Sequence, residues 1–354
     1  MRQPGRRVAP ESVYTAALLC TGTVLALAGQ YVSNVGASHP SAQLPAFTKY
    51  AVAVASTLGA TSRRRKRASQ RWSRADLLSV AIGCLEVVAY SLSCLGFPRC
   101  GSALAMVVFA AAGQVLTAIM RTAILRKGLS RQQLAAVVVV TLGLVVRWLP
   151  QAALPLMAPG SSQAGSLTPG MQLGVAYLVA SAAAYSLLGV LYELLVSSPS
   201  NKLSQAEITL RTSLIGLGAM AAYQLLYTWP RRQQLVLEPM REQQLSASLV
   251  FAMHAAFGGM FTIHSWVQGR VLQRSGALSL GVVNALRSST VALASGLLFC
   301  SPSAPQQCLS VQTGSSAAVV SLGALIWATA KPPGGSCKPQ PLTGALPSAR
   351  LKTT

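Results

Sequence analysis

The stretch "MQLGVAYLVASAAAYSLLGVLYELLVS" (171–197) decides the class of fold. It is 27 residues long and contains a single charged residue, Glu193. A helix needs about 20 consecutive apolar residues to cross the roughly 30 Å hydrocarbon core of a bilayer, where backbone polar groups must bond internally. This stretch is therefore predicted to be a transmembrane helix, and the rest of the chain has to be interpreted with lipid as a main solvent.

The same pattern recurs along the chain. Of the 354 residues, 52% are hydrophobic and 10% are charged, whereas about 25% are charged in a typical soluble domain. With the first stretch there are about ten apolar windows, the others being 13–35, 44–62, 76–97, 102–125, 132–150, 206–228, 246–268, 277–299 and 315–331. The predicted fold class is an all-α integral membrane protein with about ten transmembrane helices.

The basic residues fall mainly in segments that the predicted helices place on one side of the membrane. The formal net charge is +22, a value that also suits a nucleic-acid-binding protein. However, 20 of the 29 Lys and Arg fall in segments that lie on one side, seven of them in "RRRKRASQRWSR" (63–74). Cytosolic loops carry this excess, so we predict two cytosolic termini, contacts with membrane lipid and no nucleic-acid partner.

The windows divide into two halves of five. The segments are a cytosolic N-terminal tail (1–12), a first half (13–150), a charge-free lumenal loop (151–169), a second half (170–331) and a disordered cytosolic tail (332–354). An odd number of helices per half makes the two repeats inverted. Many transporters are built in this way and bind their substrate near mid-membrane between the halves.

Cysteines and sequence motifs limit the chemistry. Cys300 and Cys308 bracket the short loop "CSPSAPQQC", which the charge distribution places on the non-cytosolic side. A disulfide and two free thiols both remain open there. The sequence shows no metal-ligand spacing, no phosphate-binding GxxxxGK[ST] loop and no set of catalytic residues on one helical face. We therefore predict no metal, no cofactor and no enzymatic activity.

Polar side chains inside the windows are candidates for solute binding, because a charge at a helix centre costs roughly 2.5 to 3.5 kcal/mol. Asn284, Arg287 and Ser288 share one helical face. Arg287 is predicted to bind a phosphate or carboxylate through its guanidinium fork, the alternative being a structural ion pair. Glu86 and Tyr90 share another face, with Glu86 as the partner of Arg287, as a protonatable coupling group or as a neutral hydrogen-bonding group.

Two further windows add candidates. Gln114 and Thr117 share a face of the fourth window, and Tyr177 and Tyr185 share a face of the sixth. The tyrosines suit stacking on a nucleobase or hydrogen bonding to a sugar, or else packing between helices. Arg121, near the cytosolic end, is expected to extend towards the headgroups.

Glu193 follows Tyr192 at the predicted cytosolic end of the sixth helix. A negative charge at a helix C-terminus opposes the helix dipole, so a nearby cation is expected. The candidates are Lys202, Arg270 and Arg274. We predict that Tyr192 and Glu193 belong to a cytosolic gate, with simple interfacial solvation of Glu193 as the alternative.

Two short motifs carry a family resemblance. The segment "GVLYELLVSSPSNK" (189–202) resembles the end of the sixth helix in nucleotide-sugar transporters, where a VYxE-like pattern precedes a short basic loop. The matching positions are Val190, Tyr192, Glu193 and Lys202. The segment "LRKGLS" (125–130) is similar to a turn typical of the wider drug/metabolite transporter superfamily.

The resemblance implies an antiporter that exchanges a nucleotide sugar for a nucleoside monophosphate across a Golgi or related endomembrane, as a monomer or homodimer. Three positions depart from the family pattern. Gly113 and Leu280 stand where several members carry an intramembrane lysine, and Glu207 stands where the seventh helix commonly starts with asparagine. The alternative is a carrier of the same superfamily for an uncharged or cationic metabolite, with Glu86 in recognition or proton coupling.

Overall fold

The computed structural model describes residues 11–37, 39–61, 74–126, 128–146, 169–197, 203–301, 308 and 311–330. These ranges are almost entirely helical and contain no strand. Four helices are long and apolar enough to cross a membrane, which confirms the predicted all-α, membrane-type fold at that level. The predictions for the two tails, the 151–169 loop and the 63–74 basic run fall almost wholly outside the described residues.

The described residues form nine α-helices and three shorter helical turns. Two π-helical turns, Gln224–Thr228 and Gln233–Leu237, lie between α6 and α7, and a 3₁₀ turn, Pro40–Ala42, precedes α2. The helices are α1 Glu11–Asn34, α2 Leu44–Thr61, α3 Arg74–Leu125, α4 Arg131–Val146, α5 Pro169–Ser197, α6 Gln205–Tyr223, α7 Glu238–Glu242, α8 Ala247–Leu298 and α9 Val311–Thr329.

Helices α3 and α8 are each 52 residues long. At 1.5 Å per residue a straight helix of that length would measure about 78 Å, more than twice the hydrocarbon thickness. Each helix is broken once, at Gly101 (φ 69°, ψ 159°) and at Gly276 (φ 79°, ψ 173°). This backbone region is essentially restricted to glycine, so a single residue separates two apolar windows where the sequence suggested a loop.

Both breaks are capped by a side chain from another helix. The first amides of a restarted helix lack intrahelical partners. After the first break, the Ser102 N–H donates to Gln30 Oε1 of α1 at 2.7 Å. After the second, the Ala277 N–H donates to Glu193 Oε2 of α5 at 2.9 Å. In both breaks a glycine precedes a restarted helix, and a side-chain oxygen from another helix accepts a hydrogen bond from its first amide.

The two caps lie at opposite ends of the bundle. The restarted part of α3 begins beside Gln30, and near its other end Arg121 Nε contacts both Glu193 oxygens at 3.4 Å. The restarted part of α8 begins beside Glu193, and near its other end Ser295 Oγ lies 2.7 Å from Ser102 Oγ. The 19 residues from Ser102 to Arg121 span about 28 Å of helix, so the two restarted segments run antiparallel between the caps.

The remaining helices surround these segments. Helix α5 packs on α3, α1 packs on α8, α2 packs on α6 and α8, and α4 packs on α9. Beyond α8, the sulfurs of Cys300 and Cys308 are bonded to each other.

Candidate functional site

A cavity of about 360 Å³ lies among α1, α2, α3, α5, α6 and α8. It collects polar side chains that are far apart in sequence. The predicted site residues at its wall are Glu86, Tyr90, Gln114, Thr117, Tyr185, Tyr192, Asn284 and Arg287. The bundle therefore brings most of the candidates to one place, while their role in binding remains a prediction.

The Arg287 side chain is held by a buried histidine. Its Nη1 lies 3.1 Å from His264 Nε2, and because a guanidinium can only donate, Nε2 must accept. The His264 proton therefore sits on Nδ1, which donates to Thr21 Oγ1 at 3.0 Å. Thr21 in turn donates to the Ala17 carbonyl at 2.7 Å. A neutral His264 thus orients Arg287 without neutralising its charge.

Gly22 of α1 leaves the space that Arg287 occupies. A Cβ atom at this position would lie 2.8 Å from Arg287 Nη1 and 2.9 Å from His264 Cε1, closer than real Cβ contacts. The Nε–H of Arg287 is buried, and no hydrogen-bond acceptor for it lies within the described part of the chain. Within the described residues, the guanidinium is therefore held by a neutral histidine and not by a carboxylate.

Glu86 pairs with Lys49 of α2 and not with Arg287. Lys49 Nζ lies 2.8 Å from Glu86 Oε1, so the Glu86–Arg287 pair considered from the sequence is wrong. The rings of Tyr50, Tyr90 and Phe261 surround the ammonium at 4.7, 4.2 and 4.2 Å. The Lys49 side chain is 4% exposed and that of Glu86 is 20% exposed, so the cavity is in contact with the carboxylate more than with the ammonium.

The Gln114 side chain is almost completely buried. Neither its amide oxygen nor its amide nitrogen has a hydrogen-bond partner in the ranges that the structure covers, a costly arrangement for an amide. Nearby, Thr117 Oγ1 donates to Ser186 Oγ at 3.0 Å, and Ser186 donates to the Gly113 carbonyl at 3.1 Å. Thr117 is therefore engaged in helix packing, whereas Gln114 is unsatisfied.

Two predicted site residues lie away from the cavity wall. The ring of Tyr177 lies 5.6 Å from the Arg99 guanidinium carbon. Ser288 is fully buried and donates to the Ala285 carbonyl of its own helix at 2.6 Å. Tyr185, by contrast, lines the cavity and makes an edge contact with Phe109 at 5.5 Å between ring centroids.

Glu193 is buried and does not line the cavity itself, whereas its neighbour Tyr192 does. Besides capping Ala277, Glu193 contacts Arg121, so the cation that the helix dipole requires comes from α3. Arg121 contacts Glu193 through Nε, and its extension towards the headgroups stays a prediction. Of the cations proposed from the sequence, Lys202 lies outside the described residues, and Arg270 and Arg274 stack over Trp266 and Tyr14.

Glu207, at a position where the sequence departs from the family pattern, has a local structural role. Its backbone N–H donates to Ser204 Oγ at 3.3 Å, and its side chain accepts from the Ser204 N–H at 2.7 Å. The two residues form a capping box at the start of α6.

The comparisons with known proteins support the fold and leave the activity open. No protein-family model matches the chain, and no curated protein matches it. A solved crystal structure of a protein is similar to it with a TM-score of 0.55 at 18% sequence identity, over 90% of this chain and 96% of that chain. At that identity the likeness shows a shared fold alone. The class established is thus a multi-helix, membrane-type all-α protein, and its activity has to be argued from the cavity.

Proposed function

We propose that this chain is a secondary transporter that exchanges a nucleotide sugar, or a related phosphorylated sugar, for a nucleoside monophosphate. One observation carries the proposal. Arg287 lies at an internal cavity, and its charge is not paired with a carboxylate in the described part of the chain. An unpaired cation at membrane depth is costly and usually serves a function, and an anionic cargo would neutralise it.

The same proposal includes ten transmembrane spans in two inverted five-helix repeats. Cutting α3 and α8 at their glycine breaks turns the eight described helices other than the short α7 into ten segments. The breaks then fall between the third and fourth segments of each half. Their caps come from the first segment of each half, Gln30 and Glu193, and they lie at opposite ends. A repeated design with reversed direction supports an inverted duplication.

The cavity wall suits the parts of such a cargo. The Arg287 fork matches a phosphate oxygen pair, and the rings of Tyr90 and Tyr185 offer faces for a nucleobase. The amides of Gln114 and Asn284 supply donors and acceptors for a base edge or sugar hydroxyls. We propose that both termini lie in the cytosol, because of the basic segments in the sequence, and that the membrane is that of the Golgi or a related compartment, because of the resemblance to nucleotide-sugar transporters.

Alternating access would be controlled at the two caps. We assign Tyr192 and Glu193 to the cytosolic gate, because Glu193 ties α5 to both restarted helices through Ala277 and Arg121. The opposite gate contains Gln30, which bonds to Ser102.

Exchange in proteoliposomes tests the proposal. Vesicles preloaded with nucleoside monophosphates should take up at least one member of a panel of labelled nucleotide sugars. Removing a charge from a buried ionic contact costs roughly 2 to 5 kcal/mol. Arg287→Ala should therefore lower kcat/KM by at least about thirtyfold, whereas Arg232→Ala, at an exposed position, should leave it unchanged.

Two results would contradict this assignment. If the wild-type protein exchanges no member of the panel, the cargo class is wrong. If Arg287→Ala transports like the wild type while folding normally, Arg287 has an architectural role only.

A second candidate is a proton-coupled carrier of an uncharged or cationic metabolite. The partly exposed Glu86 carboxylate at the cavity wall favours it. Uptake driven by a pH gradient, without any preloaded nucleotide, would support this function over exchange.

A further inference from the structure

The charged groups at the cavity are few and can be counted. Among the described lining residues, the charged side chains are Lys49, Glu86 and Arg287. Lys49 and Glu86 form one close pair whose charges cancel. Arg287 bonds to a neutral histidine. The cavity wall thus carries one net positive charge.

The surroundings keep the Lys49–Glu86 pair together. Three aromatic faces lie within 4.7 Å of the ammonium, which stabilises the cationic form of Lys49. Separating the two charges inside the bundle would leave each of them without a counter-ion, which is strongly destabilising. A solute that enters this cavity therefore finds Arg287 without a carboxylate partner among the described residues, whereas Lys49 is already paired with Glu86.

We infer that Glu86 determines the charge of the cargo. With Glu86 ionised, the site takes a solute that places one negative charge in the cavity. A solute with two negative charges binds well only when Glu86 takes up a proton, because Lys49 is then released as the second cation. The inference deepens the proposed function: a nucleotide sugar with a doubly charged diphosphate would enter together with a proton on Glu86.

Other titratable groups also face Glu86. From α2 and α3 these are Lys49, Tyr50, Tyr90 and Cys94. From α5 and α8 they are Tyr185, Tyr192, His264 and Arg287. The lining residues described on α1 and α6 contribute none. Of this set, His264 is the group whose ordinary titration range is near neutral pH, so a test must separate its titration from proton uptake by Glu86 on binding.

Sulfamate and sulfate form a suitable pair of probes. They have similar shape, with one and two negative charges, and neither changes its charge between about pH 5.5 and 8. Binding of either anion to the purified full-length protein is measured as a concentration-dependent rise in Tm. The variants are Glu86→Gln, which keeps a hydrogen-bond acceptor for Lys49 but removes the charge, and Glu238→Gln on the exposed face of α7 as the control.

For the wild type, sulfate should bind at least about tenfold more weakly at pH 8 than at pH 5.5, and sulfamate should change much less. In Glu86→Gln, sulfate should bind at pH 8 at least about tenfold more tightly than in the wild type, with little dependence on pH. Glu238→Gln should behave like the wild type. Arg287→Ala should abolish binding of both anions, which places them in this cavity.

Three outcomes would overturn the inference. The first is that Arg287→Ala removes no binding of either anion, and the second is that sulfate and sulfamate bind equally well to the wild type at pH 8. The third is an unchanged pH dependence of sulfate binding in Glu86→Gln. The last would assign the titration to His264, which Glu86→Gln retains. The probes contain no nucleotide or sugar, so the inference can fail while nucleotide-sugar exchange is observed, and it can hold when no nucleotide sugar is exchanged.

Discussion

At the scale of single residues, Lys49 shows what sequence patterns miss. In the sequence it interrupts a weak apolar window, and no local pattern marks it as a site residue. Its partners are on other helices: Glu86 and Tyr90 come from α3, and Phe261 comes from α8. The helical face of Glu86 makes it a candidate, but the sequence alone does not identify its cation.

Helical spacing predicts which side chains share one face of a helix, but not how far along the bundle each of them lies. Asn284 and Arg287 share a face and both reach the cavity. Tyr177 shares a face with Tyr185, but eight residues of helix separate them by about 12 Å, which puts Tyr177 beside Arg99.

The contact between Gly22 and Arg287 gives a test at this scale. Gly22→Ala should displace the guanidinium, because the added Cβ would lie 2.8 Å from Nη1. We expect KM for an anionic cargo to rise about tenfold, which corresponds to about 1.4 kcal/mol, with a normal amount of folded protein. The measurement is uptake as a function of cargo concentration in proteoliposomes.

Gly113→Ala is the matched control. Gly113 also lines the cavity, and nothing lies within 4 Å of the position that an added methyl group would take. Both substitutions favour helix by a similar amount, so they differ mainly in their effect on Arg287. Equal KM values for the two variants would show that Gly22 does not position the guanidinium.

At the scale of secondary structure, composition predicts the helical segments better than it predicts their connections. The windows 76–97 and 102–125 fall on α3, but they are joined through one residue in place of a loop. The chain contains 29 glycines, and nothing in the local sequence distinguishes Gly101 and Gly276 from the others. The special positions become apparent only when another helix supplies the cap for the restarted segment.

The positive φ values of these glycines predict a stability cost for any side chain. Gly101→Ala and Gly276→Ala should each lower the free energy of unfolding by about 1 to 3 kcal/mol, because this backbone region is essentially restricted to glycine. At Gly276 the new Cβ would also lie 3.2 Å from Glu193 Oε2. Thermal unfolding in detergent, with Gly113→Ala as reference, measures the difference, and variants as stable as the reference would show that the breaks are not fixed.

At the scale of the whole molecule, the two caps are equivalent in position and different in chemistry. One joins Gln30 to Ser102 and is completed by Ser295, so it is uncharged. The other joins Glu193 to Ala277 and is completed by Arg121, so it contains an ion pair. A buried charge-assisted contact is usually stronger than a neutral one, so we expect the end that contains Glu193 to open less readily.

Removing each cap should therefore have opposite effects on access to the cavity. We compare Gln30→Leu with Glu193→Leu, which remove the oxygen acceptor at opposite ends and leave a side chain of similar size. Asn284→Cys at the cavity wall reports access through labelling by a maleimide that does not cross membranes. The background replaces Cys20, Cys84, Cys94, Cys100 and Cys337 by Ala, so that position 284 is the free thiol. Losing 1 to 2 kcal/mol of closing energy changes the open population by about five- to thirtyfold. Glu193→Leu should accelerate labelling from the cytosolic face by that factor, and Gln30→Leu should accelerate labelling from the opposite face by the same factor. If both variants are labelled faster from the same face, the placement of gates at the two caps is contradicted.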